Sequence, residues 1–214
     1  MIRSAGGVTL VGGGALRAET LERATRRAPM LIAADGGADR ALALSRTPEW
    51  AVGDFDSITD DARAAIGEGR LIHIAEQDST DFDKALRHIE APFVIGVGFG
   101  GARMDHAMAA MNVIARRRVP PCVLLSTDDV IFRAPGRFSL DLPDGARLSL
   151  FPMGPARGRS NGLRWPIDGI EFAPGDVIGT SNMALGPARL EIEGQMLVFL
   201  DPAYLDAALS AITA

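Results

Sequence analysis

Short apolar runs alternate with helical patterns over the first 126 residues. The runs that predict strands lie at residues 8–11, 30–34, 50–52, 71–74, 93–97 and 122–126. Between them, apolar side chains recur at helical spacing, most clearly at i, i+3, i+4 and i+7 from Phe82 to Ile89. Strands that alternate with helices predict an α/β region with a doubly wound, mostly parallel sheet.

The pattern changes after about residue 127, where helical spacing stops and short alternating runs begin. These runs lie at residues 130–133, 138–140, 147–151, 189–193 and 196–200. Pro143-Asp144-Gly145 and Glu193-Gly194-Gln195 are typical of hairpin turns between such strands. We therefore expect an all-β region, a small antiparallel β-sandwich or barrel, with a short closing helix near residues 202–212. Two domains are predicted, residues 1–126 and 127–214.

Composition limits the classes of function. The chain has 214 residues, 47% of them hydrophobic and 23% charged, as in an ordinary folded protein. A net charge of -5 argues against a nucleic-acid partner. Cys122 is the only cysteine, which excludes an internal disulfide and a cysteine metal site. No run is long enough to span a membrane and no signal-peptide pattern opens the chain, so we expect a cytoplasmic protein.

Acidic residues follow several of the predicted strands. They are Asp35, Asp54, Asp56, Asp78 and Asp81. Because the carboxyl ends of parallel strands lie along one edge of a sheet, these acids should converge there. Converging carboxylates repel each other unless a cation lies among them, and Mg²⁺ holding a polyphosphate is the simplest candidate. If residues 53–57 are extended, Asp54 and Asp56 project to the same side.

Structural roles compete with this interpretation. Asp56 and Ser57 are good helix caps, although a cap explains one acid and not the pair. Thr80 and Asp83 match a capping box, so we assign Asp83 to the cap and Asp78 and Asp81 to the site.

Two further residues beside the acids have alternatives of their own. Lys84 suits either a phosphate or a surface ion pair. His73 lies in an apolar run and is expected to be a core histidine.

Two glycine-rich segments also follow predicted strands. Gly12-Gly13-Gly14 suits a phosphate cradle or a flexible strand-to-helix turn, and both interpretations stay open. The second segment is Gly98-Phe99-Gly100-Gly101. After it, Arg103 suits phosphate, while Asp105 either orients Arg103 or caps the helix that follows. The basic run at residues 116–118 ends that helix and is interpreted as structural.

Six short pieces, taken in order along nearly the whole chain, resemble the thiamine pyrophosphokinase family. The pieces are Ala34-Asp35-Gly36-Gly37, Gly53-Asp54-Phe55-Asp56-Ser57, Gln77-Asp78-Ser79-Thr80-Asp81-Phe82-Asp83-Lys84-Ala85, Arg103-Met104-Asp105-His106, Gly162-Leu163-Arg164-Trp165 and Ser181-Asn182. Each piece is weak alone, and the order of all six is specific. One departure is Ala102, where the family has a second glycine before the arginine.

The resemblance implies a Rossmann-like α/β domain followed by a β-sandwich, working as a homodimer. It implies transfer of a pyrophosphoryl group from ATP to the hydroxyl of thiamine, with release of AMP. The implied Mg²⁺ ligands are Asp54, Asp56 and Asp81. Asp35 and Gln77 would complete the metal and phosphate environment with support from Asp78, and Lys84 and Arg103 would hold the polyphosphate.

The second half would bind thiamine. Ser181 and Asn182 would contact the pyrimidine, and Trp165 would stack on a ring at the subunit interface. As structural alternatives, Trp165 would be a core aromatic and Ser181-Asn182 a polar turn. Two other functions fit parts of the pattern: a Mg²⁺-dependent hydrolase of nucleotide or sugar diphosphates, and a non-catalytic nucleotide-binding regulatory module.

Overall fold

The computed structural model describes residues 1–101, 103–117 and 119–214. Ala102, which departs from the family pattern, and Arg118, the last residue of the basic run, lie outside the described residues. The chain divides into two units, residues 1–113 with 125–127 and residues 114–124 with 128–214. Residues 114–124, which precede the expected boundary at 126, therefore group with the second unit.

The first unit is built on a parallel sheet. Its strands, in chain order, are β1 (Ile2–Arg3), β2 (Val8–Val11), β3 (Met30–Ala34), β4 (Trp50–Gly53), β5 (Leu71–His73), β6 (Ile89–Glu90) and β7 (Val94–Val97). The sheet has the order β7-β2-β3-β4-β5, and β1 pairs with β6 separately. All four residues of β2 are fully buried, including Thr9, whose hydroxyl donates to Ala28 O. Burial on both faces explains why this strand does not alternate buried and exposed positions.

Helices follow strands of the first unit, and one more helix follows the last strand of the chain. The helices, in chain order, are α1 (Ala18–Thr25), α2 (Gly37–Ala43), α3 (Asp60–Ile66), α4 (Asp81–Arg87), α5 (Met104–Arg116) and α6 (Leu205–Thr213). Thr59 caps α3 and Thr80 caps α4, each through its side-chain oxygen. Small alanines such as Ala38, Ala51 and Ala62 let α2 and α3 pack closely on the sheet. In the described part of the chain, no helix is both long enough and apolar enough to cross a membrane.

The strands of the second unit are β8 (Cys122–Leu125), β9 (Val130–Arg133), β10 (Arg137–Leu140), β11 (Asp144–Leu163), β12 (Glu171–Phe172) and β13 (Gly179–Leu200). The strands β9 to β13 pair in antiparallel fashion. The long strands β11 and β13 pair along most of their length. Leu148 of β11 pairs with Asn182 on one side and with Leu200 on the other, so β13 returns along the opposite edge of β11.

The expected hairpin at residues 193–195 is wrong. Those residues continue β13, and the register with β11 shifts between Pro152 and Ala156. Gly194 has a φ of 103°, and a Cβ there would lie 2.2 Å from the carbonyl oxygen of Pro155. The glycine therefore bends a continuous strand next to another backbone and does not reverse the chain.

Candidate active site

Three carboxylates from separate elements meet at the carboxyl edge of the parallel sheet. Asp35 follows β3, Asp54 follows β4 and Asp81 begins α4. One oxygen from each lies within 4.8 Å of the others. Parallel strands that end together explain how residues far apart in sequence converge.

Asp35 is the most buried of the three, with 4% exposure. Its φ of 43° turns the chain from β3 toward α2. Gly53 leaves room for it, because a Cβ at that position would lie 2.9 Å from the Asp35 Cβ. Burial and the nearby charge of Asp81 raise the pKa of the Asp35 carboxyl, against the lowering effect of the Gly36 N–H. Among the described residues nothing hydrogen-bonds to its buried Oδ1.

Lys84 links the other two acids from within α4. Its ammonium donates to Asp54 Oδ2 over 2.8 Å and to Asp81 Oδ1 over 3.2 Å. Gln77 Nε2 also donates to Asp54 Oδ2, over 3.1 Å. The hydrogen bond from Lys84 is the main cause that lowers the pKa of Asp54. Burial alone would lower the pKa of Lys84, but the two carboxylates outweigh it and the pKa is raised.

Asp56 lies beside this group and not within it. The expected extended segment is wrong, because Phe55 has a φ of 63° and turns the chain between the two acids. Asp56 is exposed, accepts a hydrogen bond from Ser57 Oγ over 2.8 Å, and is close enough to help raise the pKa of Asp35. Asp54 and Asp56 therefore do not project as neighbours on one strand face.

The loop before α4 is held by a separate polar network. Arg87 donates to Glu76 and to Ser79, and Ser79 donates to Glu76. These contacts lower the pKa of Glu76, with the Ser79 hydrogen bond as the largest cause. Asp83 is buried, its backbone N–H donates to Thr80 as expected of a cap, and its carboxylate lies 3.7 Å from Arg87 Nε. Asp78 is exposed at the tip of the loop.

Arg103 and Asp105 form an exposed pair at the start of α5. The guanidinium donates to both carboxylate oxygens, over 3.2 and 2.6 Å. Arg103 is the main cause that lowers the pKa of Asp105. Of the two predicted roles for Asp105, the contacts favour orienting Arg103.

The two glycine segments pack against each other. Gly14 N–H donates to Gly98 O over 2.8 Å, and Arg40 donates to Gly13 O over 3.0 Å. A Cβ on Gly14 would lie 2.7 Å from the carbonyl oxygens of Gly98 and Gly100. This close backbone approach accounts for glycine at position 14 without a ligand.

In the second unit, Asn182 holds the backbone of Trp165. Asn182 is 8% exposed; its amide donates to Trp165 O over 2.7 Å and its Oδ1 accepts from Trp165 N over 3.3 Å. Trp165 is 52% exposed, so the expectation of a core aromatic is wrong and that of a surface ring fits. Arg164 lies over the indole, 5.1 Å from its centroid. Ser181 is exposed, with a φ of 62° and its N–H donating to Ser149 Oγ.

Two features of the first unit differ from the sequence interpretation or were missed by it. His73 is exposed at the end of β5 and packs on Phe55, with ring centroids 5.8 Å apart, so the expected core histidine is wrong. Arg63 lies over the same Phe55 ring at 5.6 Å. Lys84 was predicted to lie in the site, but its burial was not predicted. The composition could have indicated that this position is special, because all 22 lysine and arginine residues except Lys84 are arginine.

The residues at the sheet edge fit a hard divalent cation. Carboxylate oxygens are the ligands that Mg²⁺ prefers, and three of them lie close enough to share one ion. The buried Oδ1 of Asp35, which has no hydrogen-bond partner among the described residues, is a polar atom that an ion would satisfy. This acidic group lies at the carboxyl edge of the parallel sheet, which is where open α/β sheets bind their ligands.

Comparison with known proteins shows which family the chain resembles. The family model for the thiamin pyrophosphokinase catalytic domain matches residues 21–124, which include every residue of the acidic group. Thiamine pyrophosphokinase 1 of Oryza sativa subsp. japonica is 29% identical over 191 residues, covering 73% of this chain and 72% of the relative. Thiamine pyrophosphokinase of Bacillus subtilis (strain 168) is 25% identical over 163 residues, with coverage of 71% and 76%. Over most of its length, the chain therefore resembles the thiamine pyrophosphokinase family.

Solved structures agree in fold. Thiamin pyrophosphokinase from Candida albicans superposes with a TM-score of 0.77 at 16% identity, covering 92% of this chain and 89% of that one. The enzyme from Geobacillus thermodenitrificans gives a TM-score of 0.73 at 21% identity, with coverage of 91% and 96%. The shared fold is a mixed sheet with helices.

Proposed function

We propose that this chain is an ATP:thiamine diphosphotransferase that moves the pyrophosphoryl group of ATP to the hydroxyl of thiamine and releases AMP. The observation that carries the proposal is the group of Asp35, Asp54, Asp81 and Lys84. It lies inside the segment that matches the family's catalytic domain.

Our proposed Mg²⁺ ligands are Asp54 and Asp81, with Asp56 beside them. The buried Oδ1 of Asp35, to which no described residue donates a hydrogen bond, adds a further ligand. A bound Mg²⁺ would neutralise charge on the ATP phosphates. Gln77, with its amide on Asp54, and the exposed Asp78 would support this shell from the loop before α4.

Arg103 would bind the polyphosphate, because its guanidinium is exposed and already oriented by Asp105. The thiamine oxygen would attack the β-phosphorus in line, the bond to the α-phosphate oxygen would break, and AMP would leave. A carboxylate of the group, Asp35 or Asp81, would accept the hydroxyl proton. Positioning and charge stabilisation would supply most of the rate enhancement.

Thiamine would bind to the second unit, which we propose to be a β-sandwich formed by the bent strands β11 and β13. Trp165 offers an exposed ring whose backbone Asn182 holds in place, and Ser181 lies next to Asn182. We propose that the chain works as a homodimer in the cytoplasm, with the thiamine site at the subunit interface. The α/β region, residues 1–126, would bind ATP and the ion, and residues 127–214 would bind thiamine.

Incubation of the protein with ATP, Mg²⁺ and thiamine tests the activity. AMP and thiamine diphosphate should appear one for one. Asp54→Asn should lower turnover by roughly 10²-fold or more. Asp61→Asn, an exposed acid of α3 away from the group, is the matched control and should keep normal turnover. ATP consumption without thiamine would indicate a hydrolase, and binding without turnover a regulatory module; either result would contradict the proposal.

A further inference from the structure

Lys84 is the only lysine in the sequence and occupies an enclosed part of the site. The chain has 22 basic residues, and all except Lys84 are arginine. Its side chain is among the largest that are fully buried in the described part of the chain, at 1% exposure. An ammonium puts a full charge into a small volume, whereas a guanidinium is a broad planar group. Position 84 therefore holds a compact positive charge in an enclosed space.

The surroundings of Lys84 show what this charge faces. Its ammonium contacts Asp54 and Asp81, the acids whose side chains are 12% and 36% exposed, while its own side chain is 2% exposed. The two carboxylates are thus more accessible to solvent than the ammonium. A ligand that arrives from solvent would meet the carboxylates first, and a buried charge on α4 that loses both partners would carry a large desolvation cost. Lys84 is therefore expected to stay with its carboxylates when ligands bind.

The charges of Lys84 and the three carboxylates affect the bare divalent ion and its complex with ATP differently. When all are ionised, the three carboxylates and the ammonium carry a net charge of minus two, which one divalent ion cancels. Lys84 repels a bare divalent cation but attracts the anionic complex of that cation with ATP. We propose that Lys84 is a positioning residue that selects the ion–nucleotide complex over the bare ion at the Asp35–Asp54–Asp81 group. This inference rests on the proposed function, because it takes ATP as the nucleotide.

Binding measurements on Lys84→Met can distinguish a lysine that selects the ion–nucleotide complex from one that only holds the carboxylates in place. Mn²⁺ replaces Mg²⁺ so that the free ion can be counted by electron paramagnetic resonance, and α,β-methylene-ATP replaces ATP because its bridge is not cleaved. Loss of Lys84 should tighten binding of bare Mn²⁺ by roughly tenfold and weaken binding of the Mg²⁺ complex of the analogue by roughly tenfold. Arg23→Met removes the same formal charge from the exposed face of α1 and should change neither.

A lysine that only supports the carboxylates gives a different result. Both affinities would then fall together in Lys84→Met, and that outcome, or no change in either affinity, would overturn the inference. Lys84→Gln, which is neutral but keeps a donor for the carboxylates, repeats the test if the methionine variant does not fold. It should show the same opposite shifts.

The unmodified protein offers an independent measurement, because lysine labelled with ¹³C at the ε carbon gives a single side-chain signal. Bare Mn²⁺ should broaden that signal only at concentrations about tenfold above those needed with the ATP analogue present. Equal concentrations would contradict the inference. Neither experiment needs thiamine or turnover. If AMP and thiamine diphosphate do not form, the proposed function alone is contradicted. If they form normally but the two affinities do not shift in opposite directions, only the role of Lys84 is contradicted.

Discussion

Asn182 and Trp165 are joined by two hydrogen bonds between the Asn182 side chain and the Trp165 backbone. The amide donates over 2.7 Å and the amide oxygen accepts over 3.3 Å. A buried side chain thereby fixes the backbone of an exposed aromatic residue. The polar residue predicted to contact thiamine is thus also placed to position the aromatic one.

This relationship predicts the effect of changing either residue. Trp165→Ala should raise KM for thiamine by roughly tenfold or more, because the loss of a stacked ring costs on the order of 1–3 kcal/mol. Asn182→Ala should raise KM for thiamine by a similar factor, because the Trp165 backbone loses the two hydrogen bonds that hold it. Steady-state kinetics with each substrate varied would check this, and KM for ATP should stay unchanged. An equal rise in both KM values would contradict a thiamine-specific role.

Arg103 gives a prediction for the other substrate. Arg103→Met should raise KM for ATP by roughly tenfold and leave KM for thiamine near its original value, because a guanidinium binds phosphate through two parallel hydrogen bonds. Arg103→Lys should recover only part of the loss, since an ammonium lacks the planar fork. Full recovery by lysine would show that charge alone is needed.

The Asp35 carboxylate should lower the free energy of unfolding, although the proposed reaction needs it. Its pKa is raised in the folded state by burial and by Asp81, so the ionised carboxylate opposes folding once the pH rises above the unfolded value of about 4. Asp35→Asn should therefore increase the free energy of unfolding at pH 7 by about 1 kcal/mol, and turnover should fall. Asparagine also tolerates the positive φ at this position.

The pH dependence of unfolding checks this account of Asp35. The advantage of Asp35→Asn should shrink as the pH falls toward 4, because the folded state then takes up the proton and no longer holds the costly carboxylate. Urea unfolding at pH 4, 5.5 and 7 would measure it. A variant that is less stable than the original protein at pH 7 would show that the carboxylate is favourably paired there.

Gly37 tests the close packing at the start of α2. A Cβ at this position would lie 2.0 Å from the carbonyl oxygen of Val11, so Gly37→Ala must move backbone. We expect a loss of about 3 kcal/mol in the free energy of unfolding. Gly69→Ala is the matched control, because nothing lies within 4 Å of a Cβ there and its cost should be near zero. Comparable urea midpoints for the two variants would contradict this packing.

Sequence patterns predicted the parts of the fold that depend on local chemistry. The capping oxygen of Thr80 and the apolar spacing after it placed α4, and the apolar run before Asp35 placed β3. Both signals are short-range, so they can be recognised in a single sequence. The convergence of Asp35, Asp54 and Asp81 could be predicted because all three follow strands of one parallel sheet, whose carboxyl ends lie along the same edge.

The features that sequence did not reveal depend on tertiary contacts. The positive φ of Phe55 separates Asp54 from Asp56, and nothing in a Gly-Asp-Phe-Asp sequence requires it. Gly194 has the composition of a turn, but the adjacent backbone of Pro155 makes it a bend within β13. His73 follows an apolar run, yet β5 is the edge strand of the parallel sheet, which leaves the ring exposed.

In the proposed function, carboxylates from separate loops converge to hold a magnesium–nucleotide complex. Isothermal titration of the protein with α,β-methylene-ATP, with and without Mg²⁺, tests it most directly in the original chain, Asp54→Asn, Asp81→Asn and the control Asp61→Asn. We predict that Mg²⁺ strengthens binding at least tenfold in the original chain and the control, and has little effect in the other two. Equal Mg²⁺ dependence in all four proteins would contradict the claim.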